Sequence, residues 1–171
     1  MTNKWRLRGG YAAVALTSIA TVCLAAAGFG HSTQQAANQS ADPWTARDVL
    51  RPASLAVQMS MGPGSHTPLI VCVGFGTLYR EAHIRGAQYY GPASTPDGLA
   101  DLKKWAASQP RDREIVIYCG CCPFVHCPNI RPAFTVLQSL GFKSVRVLVL
   151  DTGLGRDWIE KGFPTERHVN S

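Results

Sequence analysis

Ile115-Val-Ile-Tyr-Cys-Gly-Cys-Cys-Pro-Phe-Val-His-Cys-Pro-Asn-Ile-Arg-Pro-Ala133 is the stretch that decides how this chain is read. The β-branched, apolar run Ile115 to Tyr118 has the length and composition of a buried strand. It ends in a thiol, Cys119. A loop follows that carries Gly120, Pro123, Pro128 and three more cysteines, Cys121, Cys122 and Cys127. Arg131-Pro132 then opens an apolar-periodic segment, which the spacing predicts to be a helix from Pro132. A thiol between a strand end and a helix start meets loop N–H groups and the positive end of a helix dipole, and both favour a thiolate. Four cysteines so close together could equally close a disulfide or hold a metal.

Working outward, other apolar segments alternate with helical ones. Val49-Leu50 reads as a short strand and Pro52 to Met59 as a helix with proline in its first turn. Leu69 to Val73 is a continuous apolar run, as in a strand covered on both faces. A short segment leads to Ala82, and His83 to Ala87 turns into a strand at Gln88 to Tyr90. Gly91 to Gly98 reads as a loop. Leu99, Leu102, Trp105 and Ala106 recur at helical spacing, and that helix stops before Pro110. On the other side of the cysteine stretch, Ala133, Val136, Leu137 and Leu140 share one helical face, with Gly141 as C-terminal cap. Val145 to Leu150 is a further buried strand, and Asp157 to Lys161 a short final helix closed by Gly162-Phe-Pro164. Strands alternating with helices imply an α/β fold with a central, mainly parallel sheet flanked by helices on both faces. Ligand crevices in such sheets lie beyond the C-terminal strand ends, where Cys119 falls.

Length and charge narrow the function. The chain has 171 residues, room for one domain with a sizeable core. Of 17 basic residues, Lys4, Arg6 and Arg8 precede an uncharged stretch from Gly9 to Gly30, which leaves 14 against 11 acidic ones. That surplus is too small and scattered for a nucleic-acid partner. The basic start, the uncharged stretch and Ala25-Ala-Ala27 together read as a signal peptide over residues 1–30. An uncleaved N-terminal anchor is the competing reading, since the stretch is long enough to span a bilayer. Residues 31–43 are rich in Gln, Asn, Ser, Thr and Ala and read as a flexible linker. The folded domain is then expected over 44–169. Export means an oxidising compartment, the bacterial periplasm or beyond, and contact with the inner membrane only if the N-terminal segment stays attached. Cys72, Cys119, Cys121, Cys122 and Cys127 would remain after cleavage, an odd number that leaves at least one thiol unpaired.

Three separated segments resemble the rhodanese (sulfurtransferase) domain family. Ala82-His-Ile-Arg-Gly-Ala87 is similar to the family's "GHIPGA" segment. The strand ending in Tyr118-Cys119, with its loop and the helix closing at Leu140-Gly-Phe142, resembles the active-loop region. Gly153-Leu-Gly-Arg-Asp-Trp158 through Lys161-Gly-Phe-Pro164 is similar to the closing "GGF..W...GFP" pattern. Cys119-Gly-Cys-Cys-Pro123 followed by Cys127-Pro-Asn129 further resembles an exported, single-domain bacterial subgroup. The resemblance implies a rhodanese-like fold with Cys119 as nucleophile. Its thiolate would take a sulfane sulfur from a small anionic donor such as thiosulfate, become a persulfide and pass the sulfur to a thiol or cyanide, with no metal or organic cofactor. The loop would be the cradle, with Gly120, Cys121, Cys122, Phe124 and Arg131 expected to bind substrate. Two departures stand out. Cys72-Val-Gly74 replaces the family's Asp-Val-Arg at the end of its first strand, and Arg131 lies twelve residues after Cys119 rather than about five.

The remaining cysteines keep two readings. As accessory thiols, Cys121, Cys122 and Cys127 could relay or resolve a persulfide, or one of the first two could pair with Cys127 to stiffen the loop. As ligands, Cys119, Cys121, Cys122 and Cys127 with His126 could hold zinc or copper in a non-enzymatic metal or redox module, although the spacing is that of no common zinc or iron–sulfur motif. A phosphatase-type Cys-x5-Arg cradle finds weak support, since Arg131 is too far from Cys119 and too close to Cys127. His83 is expected to be structural, Cys72 buried, and Trp105, Trp158 and Phe163 core.

Overall fold

The three longest apolar runs become the middle of one sheet. The structure is a computed structural model and describes residues 42–62 and 67–167. The expected signal or anchor segment, and nearly all of the expected linker, lie outside them. Strands β1 (Val49–Leu50), β2 (Leu69–Cys72), β4 (Gln88–Tyr89), β5 (Ile115–Tyr118) and β6 (Val145–Leu148) form a parallel sheet in the order β1-β6-β5-β2-β4. β5 is central. Leu69 to Cys72 run in register with Ile115 to Tyr118, and Ile115 pairs with Val145 on the other side. Among the described residues no helix is long and apolar enough to cross a membrane.

Side chains alternate across this sheet, so each strand feeds two cores. Val71, Val73, Ile115, Ile117 and Val147 face α3 (Pro96–Ala107) and α4 (Ile130–Ser139), meeting Leu102, Trp105, Phe134 and Leu137. Ile70, Cys72, Val116, Tyr118 and Leu148 face the other way, onto Leu55 of α1 (Pro52–Ser60) and Trp158. Continuing the β5 alternation puts the Cys119 side chain on the α3/α4 face, behind Ile115 and Ile117. The expected α/β sheet with helices on both faces is therefore what forms.

Several boundaries differ from the sequence reading, each for a local reason. The segment before Ala82 contains a helix, α2 (Gly76–Glu81), which buries no residue fully and so shows no apolar period. The single strand expected after His83 is two strands. β3 (His83–Ile84) leaves the main sheet and pairs antiparallel with β7 (Thr165–Glu166), while Gly86, at φ 73°, turns the chain into β4. Helix α3 starts at Pro96 because Thr95 caps it, its Oγ1 accepting the Gly98 N–H at 3.2 Å. Helix α4 starts two residues before Pro132, which its first turn tolerates because N–H groups there have no intrahelical acceptor. In place of the expected final helix there is a wide π turn, Gly155–Ile159, holding Trp158 in the core with its Nε1–H donated to Pro164 O at 2.9 Å.

Candidate functional site

Cys119 leaves β5 at the centre of the sheet and is 6 % exposed. Its approach to the neighbouring strand is so close that a side chain at Gly74 would not fit. A Cβ there would stand 2.5 Å from Cys119 O and 3.0 Å from Cys119 Sγ. Glycine at position 74, just past the end of β2, thus makes room for this thiol. Behind it, a Cβ on Gly91 would collide with Gly74 O, so the close approach runs two strands deep. Gly120 then turns with φ 78°, and its carbonyl accepts the Leu154 N–H at 3.1 Å. The other end of the loop is fixed by Phe124 N–H donating to Leu150 O at 3.0 Å, after which the 3-10 turn Phe124–His126 leads to Cys127 and α4.

The loop gathers its thiols. Cys119 Sγ and Cys121 Sγ are 2.9 Å apart, and Cys121 Sγ and Cys122 Sγ 3.4 Å apart. Cys127 is also buried, beside Ile130 and Ala133 on the α3/α4 face. The nearby Cys119 thiol holds the Cys127 thiol down, to about 6, with further support from the N–H groups of Asn129 and Ile130 at the start of α4. Cys127 in turn, together with burial, pushes Cys119 well above the ordinary thiol range. Of the two thiols, Cys127 is therefore the more acidic. Burial and the Cys121 sulfur raise Cys122 to about 12. Cys72, across the strand, donates weakly to Cys119 O at 3.9 Å, and burial raises its thiol to about 11.

A residue absent from the sequence-based site lies at its centre. Asn129 has no exposed surface; its Nδ2–H donates to Cys119 Sγ at 3.3 Å and its Oδ1 accepts the Ser94 N–H at 2.9 Å. A sequence signal existed, an asparagine just ahead of a helical face, but Pro132 had drawn the expected helix start past it.

The expected cradle residues separate into two groups. Cys121 and Cys122 stand beside Cys119, and Gly120 forms the turn. Phe124 instead packs its ring on Trp44, with centroids 5.4 Å apart. The Arg131 guanidinium is bound to Asp42 Oδ1 at 2.6 Å and stacked over Trp44, and its other amino group reaches Cys127 O at 3.5 Å. These contacts hold it at the loop's outer edge, with no hydrogen bond to Cys119. His83, expected to be structural, stacks on Tyr79 at 4.0 Å with Nδ1 against Tyr79 O at 2.8 Å. A cavity of about 220 Å³ opens at the strand ends, lined by Cys72, Tyr79, Tyr118, Cys119, Gly120 and Leu154 among others. A metal could be offered Cys119, Cys121 and Cys122, whose sulfurs all lie within 4.8 Å of one another; neither Cys127 nor His126 belongs to that group.

A central parallel sheet with a thiol loop at its carboxyl end defines the class of fold, and solved structures share it. The rhodanese-like domain of the Alr3790 protein from Anabaena sp., solved by NMR, superposes with a TM-score of 0.51 at 25 % identity, covering 70 % of this chain and 79 % of that one. A crystal structure of the same Anabaena protein gives 0.54 at 22 % identity, covering 71 % and 94 %. The BH2092 protein from Bacillus halodurans gives 0.54 at 20 % identity, covering 70 % and 76 %. The fold is rhodanese-like. No protein-family model matches the chain, and no curated protein does.

Proposed function

We propose that this protein is a sulfurtransferase in which Cys119 carries a sulfane sulfur as a persulfide. The observation that carries the reading is the position of Cys119 at the end of the central strand of a rhodanese-like sheet, with the Asn129 amide donated to its sulfur. Transfer begins when Cys119 gives its proton to Cys127, the lowered thiol of the loop, and becomes a thiolate. Cys119 then attacks the outer sulfur of a small anionic donor such as thiosulfate, and sulfite departs. The Asn129 side-chain N–H and the Cys121 backbone N–H offset the negative charge on Cys119. A thiol or cyanide takes the sulfur on. The reading includes export to the periplasm, which rests on the basic and uncharged N-terminal sequence alone. The direct test is sulfite release from thiosulfate by the reduced protein, with Cys119→Ser in parallel. Undiminished release by that variant would overturn the reading.

One observation favours a second reading, a soft-metal site. The three sulfurs within 4.8 Å are already gathered in a largely apolar surround, which suits a thiophilic ion such as copper(I). Elemental analysis of the purified protein decides it: stoichiometric metal, with no sulfite from thiosulfate, is its signature.

A further inference from the structure

Two observations at the site are not needed for simple sulfur relay. Cys121 Sγ stands 2.9 Å from Cys119 Sγ, and Cys119 is buried while Cys121 is only half-buried. A disulfide needs the two sulfurs about 2.05 Å apart, so less than about 1 Å of further approach would join them. Gly120, at φ 78°, supplies the turn that folds the second thiol back onto the first.

Resting on the sulfurtransferase reading, we propose that Cys121 is a resolving thiol, and that the protein reduces sulfane sulfur to sulfide at the expense of a dithiol. Once Cys119 carries a persulfide, the Cys121 sulfur attacks Cys119 Sγ. The Cys119–Cys121 bond forms as the bond to the outer sulfur breaks. The outer sulfur leaves with the bonding pair and takes the Cys121 proton, departing as hydrosulfide. Charge and atoms balance: a thiol and a persulfide anion become a disulfide and HS⁻. No outside oxidant is required, because the sulfane sulfur is itself the electron acceptor.

Proximity favours this step over transfer to an outside acceptor. A thiol from solvent must enter a site where Cys119 is 6 % exposed. Cys121 is already in contact, and well-oriented intramolecular partners reach effective concentrations on the order of 10⁵ M or more. The same asymmetry directs the way back. A dithiol reductant meets the more accessible Cys121 sulfur first, forms a mixed disulfide there and frees Cys119. Its second thiol then closes the reductant's own disulfide and releases Cys121. Over the cycle, thiosulfate and a dithiol give sulfite, hydrosulfide, a disulfide and a proton.

The experiment uses the full chain, reduced and freed of reductant under anaerobic conditions, with one equivalent of thiosulfate. Sulfite, sulfide, intact mass and linked peptides are then measured. The expected result is one sulfite and one sulfide per chain, a loss of two hydrogen atoms and a Cys119–Cys121 cross-link. In Cys121→Ser the reaction stops at the persulfide: the mass rises by one sulfur atom and no sulfide appears. A wild-type chain that keeps the added sulfur, a cross-link from Cys119 to Cys127 instead, or equally fast sulfide release from Cys121→Ser would overturn the proposal. Absence of sulfite from the wild-type chain is a different failure, since it removes the sulfurtransferase reading on which this one rests.

Discussion

Asn129 donates its side-chain N–H to the sulfur of Cys119 at 3.3 Å, from a position with no exposed surface. Its other end is fixed by the Ser94 N–H, which identifies the accepting atom as oxygen and leaves the nitrogen to face the thiol. Asn129→Asp keeps an acceptor for Ser94, removes the donor and sets a carboxylate beside a developing thiolate. Single-turnover sulfite release is expected to fall by roughly a hundredfold to a thousandfold, in line with losing one donor from a charge-stabilising site. Asn129→Ala, which deletes both bonds, is expected to lower stability by about 1–3 kcal/mol in urea unfolding.

Gly74 is expected to tolerate nothing larger. In Gly74→Ala the new carbon would meet the Cys119 carbonyl at 2.5 Å, and a backbone atom between two paired strands cannot swing aside. The expected cost is about 1–3 kcal/mol, the range for overpacking. Thermal unfolding reads that cost, and alkylation of Cys119 should change rate in the same variant.

The lowered Cys127 thiol gives a pH signature. Cys127 ionises at about 6 when folded against 9.0 in an unconstrained thiol, so between these values the unfolded chain binds more protons. Stability therefore rises with pH from about 6 to 9, and this contribution is lost as pH falls back through 6. Cys72 acts in the opposite sense. Its folded value of about 11 makes the unfolded chain the better acid above 9.0, so stability declines from there upward. Urea midpoints measured across this range should peak near pH 9 in the wild type. A thiolate absorbance is expected in the wild type at neutral pH, and in Cys127→Ser it should be lost while the rising limb flattens.

Trp158 anchors the opposite face of the sheet. Trp158→Phe removes the N–H that satisfies Pro164 O and opens a gap under β2 and β5. A loss of about 1–3 kcal/mol is expected, with the site chemistry unchanged. A matching drop in thermal midpoint, at constant sulfite yield per folded chain, is the check.

The central strands were legible because both of their faces are covered, which makes them continuous apolar runs whatever surrounds them. The helices α3 and α4 were legible through Leu102 and Trp105 and through Ala133 and Leu137, which sit on one face each. Peripheral elements were not. α2 buries nothing completely, and β3 and β7 become strands only because they meet each other across 80 residues of chain, as the Gly86 N–H bond to Glu166 shows. At the site, the cysteines announced themselves by type, but their neighbours did not. Gly74 matters for the side chain it lacks, and Asn129 for a buried reach that no periodicity encodes. Arg131 looked like an anion ligand from its place at a helix start. Asp42 and Trp44, which hold it, come from a segment far away in sequence.

The sheet's outer strands carry one more consequence. β1 and β4 are each two residues long, and each is followed within three residues by a proline, Pro52 and Pro92. The separate β3–β7 pair is equally short. Strands so brief offer almost no row of free backbone donors and acceptors to an incoming chain, so edge-to-edge polymerisation finds no template here. Among the described residues, sulfur atoms and exposed apolar side chains then stand as routes to self-association, and a gel with and without reductant tells those two apart.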